Sequence, residues 1–349
     1  MPSSRWRWYV MSVRLSKPST GFQSSGFIRV TIVAPMDEIL ERAHVVALPM
    51  RVKFRGITVR EAVLFDGPKG WGEFSPFVEY GVQEAAQWLR CGLEMAFQGP
   101  PPMICDAVEV NATIPAVSPD QVPEILARYP GCTTVKVKVA EGDDVSRVAM
   151  VREVLPDARI RVDANRGWTV DEAVAASKRL GELEYMEQPC ASIAELAELR
   201  RRISVPIAAD ESIRRVSDPY EVARLHAADV AVVKAAPLGG PRNIVDIAKF
   251  YQQRGLSLTV ASALDTGVGM NAGIAVAAAI DSNPAGLATQ RLFVEDVTEP
   301  RTIVDGKMSV EMLAPDPARL AEFEVTGPRR DWWLERVRDA LECLHDFIP

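Results

Sequence analysis

The chain has 349 residues, 48% apolar and 25% charged, with a net charge of −7. That length gives ample core for one large domain or two modest ones, and the negative balance offers nucleic acid or an anionic membrane no electrostatic attraction. Cys91, Cys105, Cys132, Cys190 and Cys343 are spread without a CxxC pair, which argues against a disulfide framework or structural zinc and for a reducing cytoplasm; no apolar run reaches bilayer-spanning length.

Ahead of Asp37 there is no acid, whereas Arg5, Arg7, Arg14, Lys17 and Arg29 are basic. No apolar stretch with a small-residue cleavage site follows these charges, so residues 1–28 read as a disordered extension rather than a targeting peptide. From Thr133 onward, short β-rich runs alternate with helical ones. The strand candidates are 134–139, 159–164, 183–188, 206–210, 229–235, 257–262 and 286–289. Between them, Thr169 with Glu172 and Ser192 with Glu195 have the spacing of capping boxes, and Asp218-Pro219 opens a further helix. Strands alternating with helices at this spacing predict βα units and a parallel sheet. Seven or so in succession favour a closed barrel over an open sheet.

In the first of these strands, TTVKVKVA (133–140), Lys136 and Lys138 must share one face and the valines the other. Lys138, Asp163, Glu187, Asp210 and Lys234 each fall at or near the C-terminal end of a predicted strand, at intervals of 25, 24, 23 and 24 residues. A lysine on a strand commonly guards a sheet edge, and a carboxylate after a strand commonly caps a helix. Five such residues in phase fit the mouth of a barrel better, with one functional side chain per unit. The lysines then point inward and the valines pack against helices. Three carboxylates in one concavity repel one another unless a cation lies between them. With no His or Cys beside them, they select a hard divalent ion, Mg²⁺ first and Mn²⁺ as a possible substitute. His44, His226 and His345 are scattered, so neither zinc nor a histidine-activated nucleophile has a candidate set. Lysines flanking such an ion suggest removal of a proton from the carbon beside a substrate carboxylate. Lys136, the ion and burial would all favour a neutral Lys138.

The segments KVKV, VDANRGW, MEQPC, PIAADES and VVKAAPLGG, together with the upstream GWGEFSPFVEYG, resemble the enolase superfamily in its muconate-lactonising subgroup. The resemblance covers almost all of the chain after about residue 40. It implies a modified TIM barrel, (β/α)7β, over 115–300, with an α+β N-terminal capping domain over 29–114 completed by 301–349. In particular, it implies that TIVDGKMSV returns to the cap as a strand and RDWWLERVRDALECL as a helix. It further implies Asp163, Glu187 and Asp210 as metal ligands and Lys138 as the base, with Lys136 tuning it. Lys234 would stabilise the substrate anion from the opposite side, and Asn165 and Glu211 would orient the ligands. Within the subgroup the reading favours a syn dehydration, with an N-acylamino acid racemase or dipeptide epimerase as the alternative. A metabolite-binding barrel without catalysis is the alternative of another class, disfavoured by the intact set of five. The expected partner is a small-molecule carboxylate, and the chain is a monomer or homo-oligomer. Arg55 in RVKFRG is the candidate contact for a substrate anion, and FVEYG (77–81) is a second lid piece. The backbone N–H groups of Ser262, Ala263 and Leu264 are candidates for a distal carboxylate. GVGMNAG (267–273) lacks GxGxxG spacing and an acidic partner, so a nucleotide site is not expected.

Overall fold

The computed structural model describes residues 36–54 and 56–346. The extension expected over 1–28 lies outside them, as does Arg55. The first described strands are β1 (His44–Phe54), β2 (Ile57–Gly67) and β3 (Gly70–Phe74), an antiparallel meander. Alternate residues of β1, Val46, Leu48 and Met50, are buried, the mark of a strand with one face on a core. That face shares one core with the helix Val82–Leu93, whose Ala85, Ala86, Trp88, Leu89 and Leu93 form one apolar stripe. The sheet and helix touch where Gly72 faces Gly92: a Cβ on Gly72 would collide with the Gly92 carbonyl. The C-terminal helix Pro328–Asp346 completes this layer with Trp333, Leu334, Val337, Ala340, Leu341 and Leu344. Its Arg336 donates to the carbonyls of Phe77 and Tyr80 at 2.9 and 2.8 Å, fixing the segment after β3.

β4 (Ala107–Glu109) precedes the barrel proper. The barrel strands are β5 (Ala112–Ile114), β6 (Thr134–Lys138), β7 (Arg159–Asp163), β8 (Tyr185–Glu187), β9 (Ile207–Ala209), β10 (Val230–Val233), β11 (Ser257–Ala261) and β12 (Asn283–Gly286). They pair in chain order, all in parallel, as one eight-stranded sheet. A parallel bridge between Val110 and Ala285, with Asn111 N donating to Ala285 O at 3.0 Å, brings the sheet's two edges together. The result is a nearly closed barrel with an N-terminal cap. Val135, Val137 and Val139 pack outward with Val148 and Val151, while Tyr185, Ala208, Val230, Val232 and Ala261 fill the interior. Both capping boxes form, with Thr169 and Ser192 backbone N–H groups each donating to their glutamates at 2.8 Å.

Three element-level expectations shift. The parallel sheet begins at β5, before residue 115, because a three-residue strand cut off by Pro115 carries no periodic signal. The last strand lies at 283–286 rather than 286–289. Pro284 hides it in the sequence, yet proline is tolerated where a strand sits at the edge of a sheet. The TIVDGKMSV hairpin, β13 (Ile303–Val304) and β14 (Lys307–Ser309), pairs with β4 and not with the cap meander. Met308 stands opposite Val108, and Ile303 and Met308 enter the barrel's apolar layer. Residues 301–346 therefore divide between the two layers. No described helix is long and apolar enough to cross a membrane.

One buried cation anchors the rim of the first long barrel strand. Arg147, in the helix Asp144–Val154, is 2% exposed and donates to the carbonyls of Val117, Lys138 and Glu141 at 2.8, 2.7 and 2.8 Å. Arg147→Met leaves three carbonyls without that donor. At ~1 kcal/mol for each bond lost, the expected cost is about 3 kcal/mol, read from the urea unfolding midpoint.

Candidate active site

The C-terminal ends of β6 to β10 form one rim, and the register fixes who meets whom. Lys138 stands beside Asp163, and Asp163 beside Glu187. Asp210 and Lys234 follow directly on the last residues of β9 and β10. Lys138 Nζ donates to Asp163 Oδ2 and to Asn165 Oδ1, both at 2.6 Å. Lys136, two residues further down the same face, reaches Asp163 Oδ2 at 3.2 Å and Glu187 Oε1 at 3.0 Å. Lys234 pairs with Asp210 Oδ1 on the neighbouring strand end. The five residues in phase along the sequence thus converge in one place. Asn165 Nδ2 donates to Glu211 Oε1 at 2.9 Å, linking the loops after β7 and β9.

The loops that follow these strands bend through left-handed backbone. Ala140, Asn165, Arg166 and Gln188 have φ of 69°, 44°, 68° and 35°, a conformation that non-glycine residues hold only when their surroundings impose it. Here the surroundings are hydrogen bonds. Gln188 Oε1 accepts from Asp210 N and Ser212 N at 3.1 and 3.0 Å, and Arg166 donates to the Glu211 carbonyl at 3.0 Å. Neighbouring loops are therefore cross-tied just where the carboxylates emerge.

Burial sets the electrostatics, and the ammonium groups redistribute it. Burial would raise the Asp163 carboxyl, but Lys136 and Lys138 hold it well below the usual carboxylate range. Asp210 is likewise held down against burial, by Lys234 and Arg214. Glu187 is pushed up to about 7, first by burial and then by Asp163, with Lys136 offsetting only part. Burial also opposes charge on Lys136, yet Glu187 and Asp163 outweigh it and its pKa stands well above the ordinary value. Lys234 moves the other way: burial and then the Arg214 guanidinium lower it, against the pull of Asp210.

Among the described residues, no three His, Cys, Asp or Glu side chains are drawn together as a ready ion cage. The carboxylates are turned to the lysines instead, which balance their charge. The donor set nonetheless suits a hard divalent cation: three buried carboxylates at successive strand ends, oxygen donors only, with burial first and then the Asp163 and Asp210 charges raising Glu187. Asp163, Glu187 and Asp210 are the residues that would hold it.

The loop after β11 departs from the sequence expectation. Ser262 N donates to Gly286 O at 3.0 Å, Ala263 N to Asp265 Oδ2 at 3.0 Å, and Leu264 N to Ser262 Oγ at 2.9 Å. All three N–H groups are spent inside the fold, so they do not form an anion cradle. Asp265, only three residues beyond Ser262, is the acceptor that the sequence reading left out.

Two further residues of the site were missed. Arg214 reaches the Asp210 carboxylate at 3.3 and 3.4 Å. Its signal was its place four residues after Asp210 in DESIRR. Gln188 was visible in MEQPC, but nothing in sequence tells a side chain that ties loops from one that faces solvent.

Two family models match the chain, an enolase N-terminal domain-like model over 45–96 and an enolase C-terminal domain-like model over 121–315. The o-succinylbenzoate synthase of Mycolicibacterium smegmatis is 56% identical over 315 residues, covering 87% of this chain and 97% of the relative. That of Mycobacterium tuberculosis is 52% identical over 325 residues, 90% and 98% of the two chains. The chain belongs to the enolase superfamily. Among solved structures, the muconate lactonizing enzyme from Pseudomonas fluorescens, complexed with muconolactone, aligns with a TM-score of 0.70 at 22% identity. It covers 81% of this chain and 98% of its own, and at that identity it speaks for the superfamily's fold alone.

Proposed function

We propose that the chain is a hydro-lyase, an o-succinylbenzoate synthase. It dehydrates 2-succinyl-6-hydroxy-2,4-cyclohexadiene-1-carboxylate to o-succinylbenzoate, a step of menaquinone biosynthesis, with Mg²⁺ (or Mn²⁺ as a substitute) held by Asp163, Glu187 and Asp210. The observation that carries this reading is the placement of Lys138 and Lys234 at opposite ends of one carboxylate row. The relatives at 52–56% identity support the choice of reaction.

Lys138, in its neutral form, takes the proton from the ring carbon that bears the carboxylate. To do so it gives up its contact with Asp163 Oδ2. The electron pair of that C–H bond forms the new ring double bond as the C–O bond at the hydroxyl carbon breaks. Lys138 returns the proton to the departing oxygen on the same face, so water leaves and the amine is regenerated. Lys234 stays charged and faces the substrate carboxylate as negative charge gathers there. When bound, the divalent ion supplies positive charge at those same carboxylate oxygens. Aromatisation drives the elimination, so the chain's work is to acidify one proton and hold the ring.

The direct test follows loss of the diene's ultraviolet absorbance in chelator-treated protein. Turnover is expected only after Mg²⁺ is restored, and also with Mn²⁺. Absence of turnover in folded, Mg²⁺-loaded protein rejects the reading. One observation favours a second activity on the same site: burial and Arg214 lower the pKa of Lys234, which suits a second proton carrier. An N-succinylamino acid racemase would use both lysines, and α-proton exchange in D₂O from both enantiomers distinguishes it.

A further inference from the structure

We infer that Arg60 and Glu73, both from the cap, are positioning residues for this reaction. Together they fasten the segment 75–81 to the loop 262–269, which leaves β11 at the same C-terminal rim of the barrel as the site residues. The inference rests on the proposed dehydration for its kinetic consequence, and on geometry alone for its structural one.

Arg60 in β2 is 2% exposed, and its Nε donates to the Leu264 carbonyl at 2.9 Å. Its Nη2 donates to Ser75 Oγ at 3.0 Å, and its guanidinium lies 4.4 Å from the centre of the Phe77 ring. One side chain thus grips the loop after β11 and the segment after β3 together. Glu73 in β3 grips the same two pieces. One carboxylate oxygen accepts from Ser75 Oγ at 2.5 Å. The other accepts from Thr266 N at 3.2 Å, Thr266 Oγ1 at 2.6 Å and Gly269 N at 3.1 Å. Gly269 is the residue before the helix Met270–Ala279, and a Cβ there would run into the Glu73 carboxylate. The helix start has room for a cap residue because it carries no side chain of its own.

The loop needs such a grip. Leu264 has a φ of 65°, costly for a leucine, and persists because its carbonyl is held by Arg60 and its N–H by Ser262 Oγ. Asp265, which accepts from Ser262 Oγ and Ala263 N, completes the lock from within the loop. Stability alone does not explain charged groups here, since buried ion clusters are commonly matched or bettered by apolar packing. Directional bonds do what apolar packing cannot: they specify one loop geometry. A loop set this way acts on substrate binding and leaves the proton transfer at Lys138 to the rim residues.

The test pairs kinetics on the cyclohexadiene carboxylate with amide hydrogen exchange in full-length, Mg²⁺-loaded protein. Glu73→Leu is expected to raise KM about 10-fold, to change kcat by less than about 3-fold, and to speed exchange at 263–269 about 10-fold over β7 amides. Glu73→Gln keeps one acceptor oxygen for Thr266 and gains a donor for Ser75, so it should restore both readouts to within about 3-fold. Should Glu73→Leu fail to fold, Thr266→Val removes the 2.6 Å bond to Glu73 together with the longer bonds its hydroxyl accepts from Val268 N and Gly269 N, and about a 3-fold rise in KM with faster loop exchange is expected. The inference is overturned if loop exchange and KM stay within 2-fold of the parent, or if exchange rises equally throughout the barrel. If the unaltered protein does not turn over the diene, the dehydration reading falls, and the exchange comparison still decides whether the cap sets the loop.

Discussion

Lys138→Ala is expected to lower kcat for the dehydration at least about 10³-fold, with KM within about 5-fold of the parent. The amine is the group that removes the ring proton and returns it to the leaving oxygen, so its loss removes both transfers at once. No neighbour replaces it. Lys136 is committed to Asp163 and Glu187 and stays strongly protonated, and Lys234 stands on the opposite side at Asp210. Because the Lys138 side chain is partly exposed at the rim and Arg147 still holds the backbone carbonyl, the fold should survive the change. The thermal midpoint is therefore expected to move little, while exchange of the α-proton in D₂O disappears along with turnover. A variant that keeps full activity removes Lys138 from the mechanism.

Much of this site could be read from the sequence because a barrel converts sequence period into spatial convergence. Each strand end of a βα unit arrives at the same rim, so Lys138, Asp163, Glu187, Asp210 and Lys234 meet although the chain separates them by some two dozen residues each time. The capping boxes were legible for a local reason, since both partners lie within one turn. What stayed hidden depends on contacts between distant pieces. Val108 and Met308 share a strand pair across nearly two hundred residues, and no local pattern announces it. The N–H groups after β11 looked available because Asp265 reads as one more loop acid until its carboxylate is seen folded back on Ala263. Arg60 and Glu73 carry no signal in their own strands. Their meaning lies in Leu264, Thr266 and Gly269, on the other layer of the molecule.

Glu187→Gln is expected to separate stability from function in opposite directions. Glu187 is 1% exposed, and burial together with Asp163 raises its pKa from 4.5 to about 7. A carboxyl raised in the folded state binds more protons there than in the unfolded chain over that interval. Its effect on stability is therefore neutral below about 4.5, grows steadily unfavourable between about 4.5 and 7, and levels off above. Glutamine mimics the protonated acid. In chelator, the variant should match the parent near pH 5 and exceed it at pH 8, by at most about 3 kcal/mol if the whole shift is expressed. Loss of the charge that faces Lys136 at 3.0 Å works against this gain, but the amide oxygen still accepts and Lys136 retains Asp163. With Mg²⁺ added, the order should reverse. The parent gains thermal stability, and gains more at pH 8 than at pH 5, because Glu187 must lose its proton to serve as a ligand. The variant, one charged ligand short, should bind Mg²⁺ at least about 100-fold more weakly and turn over at least about 10³-fold more slowly. Thermal midpoints of both proteins, with and without Mg²⁺ at the two pH values, check this directly. Equal stabilisation of both by Mg²⁺ would take Glu187 out of the ligand set and with it the three-carboxylate reading of this rim.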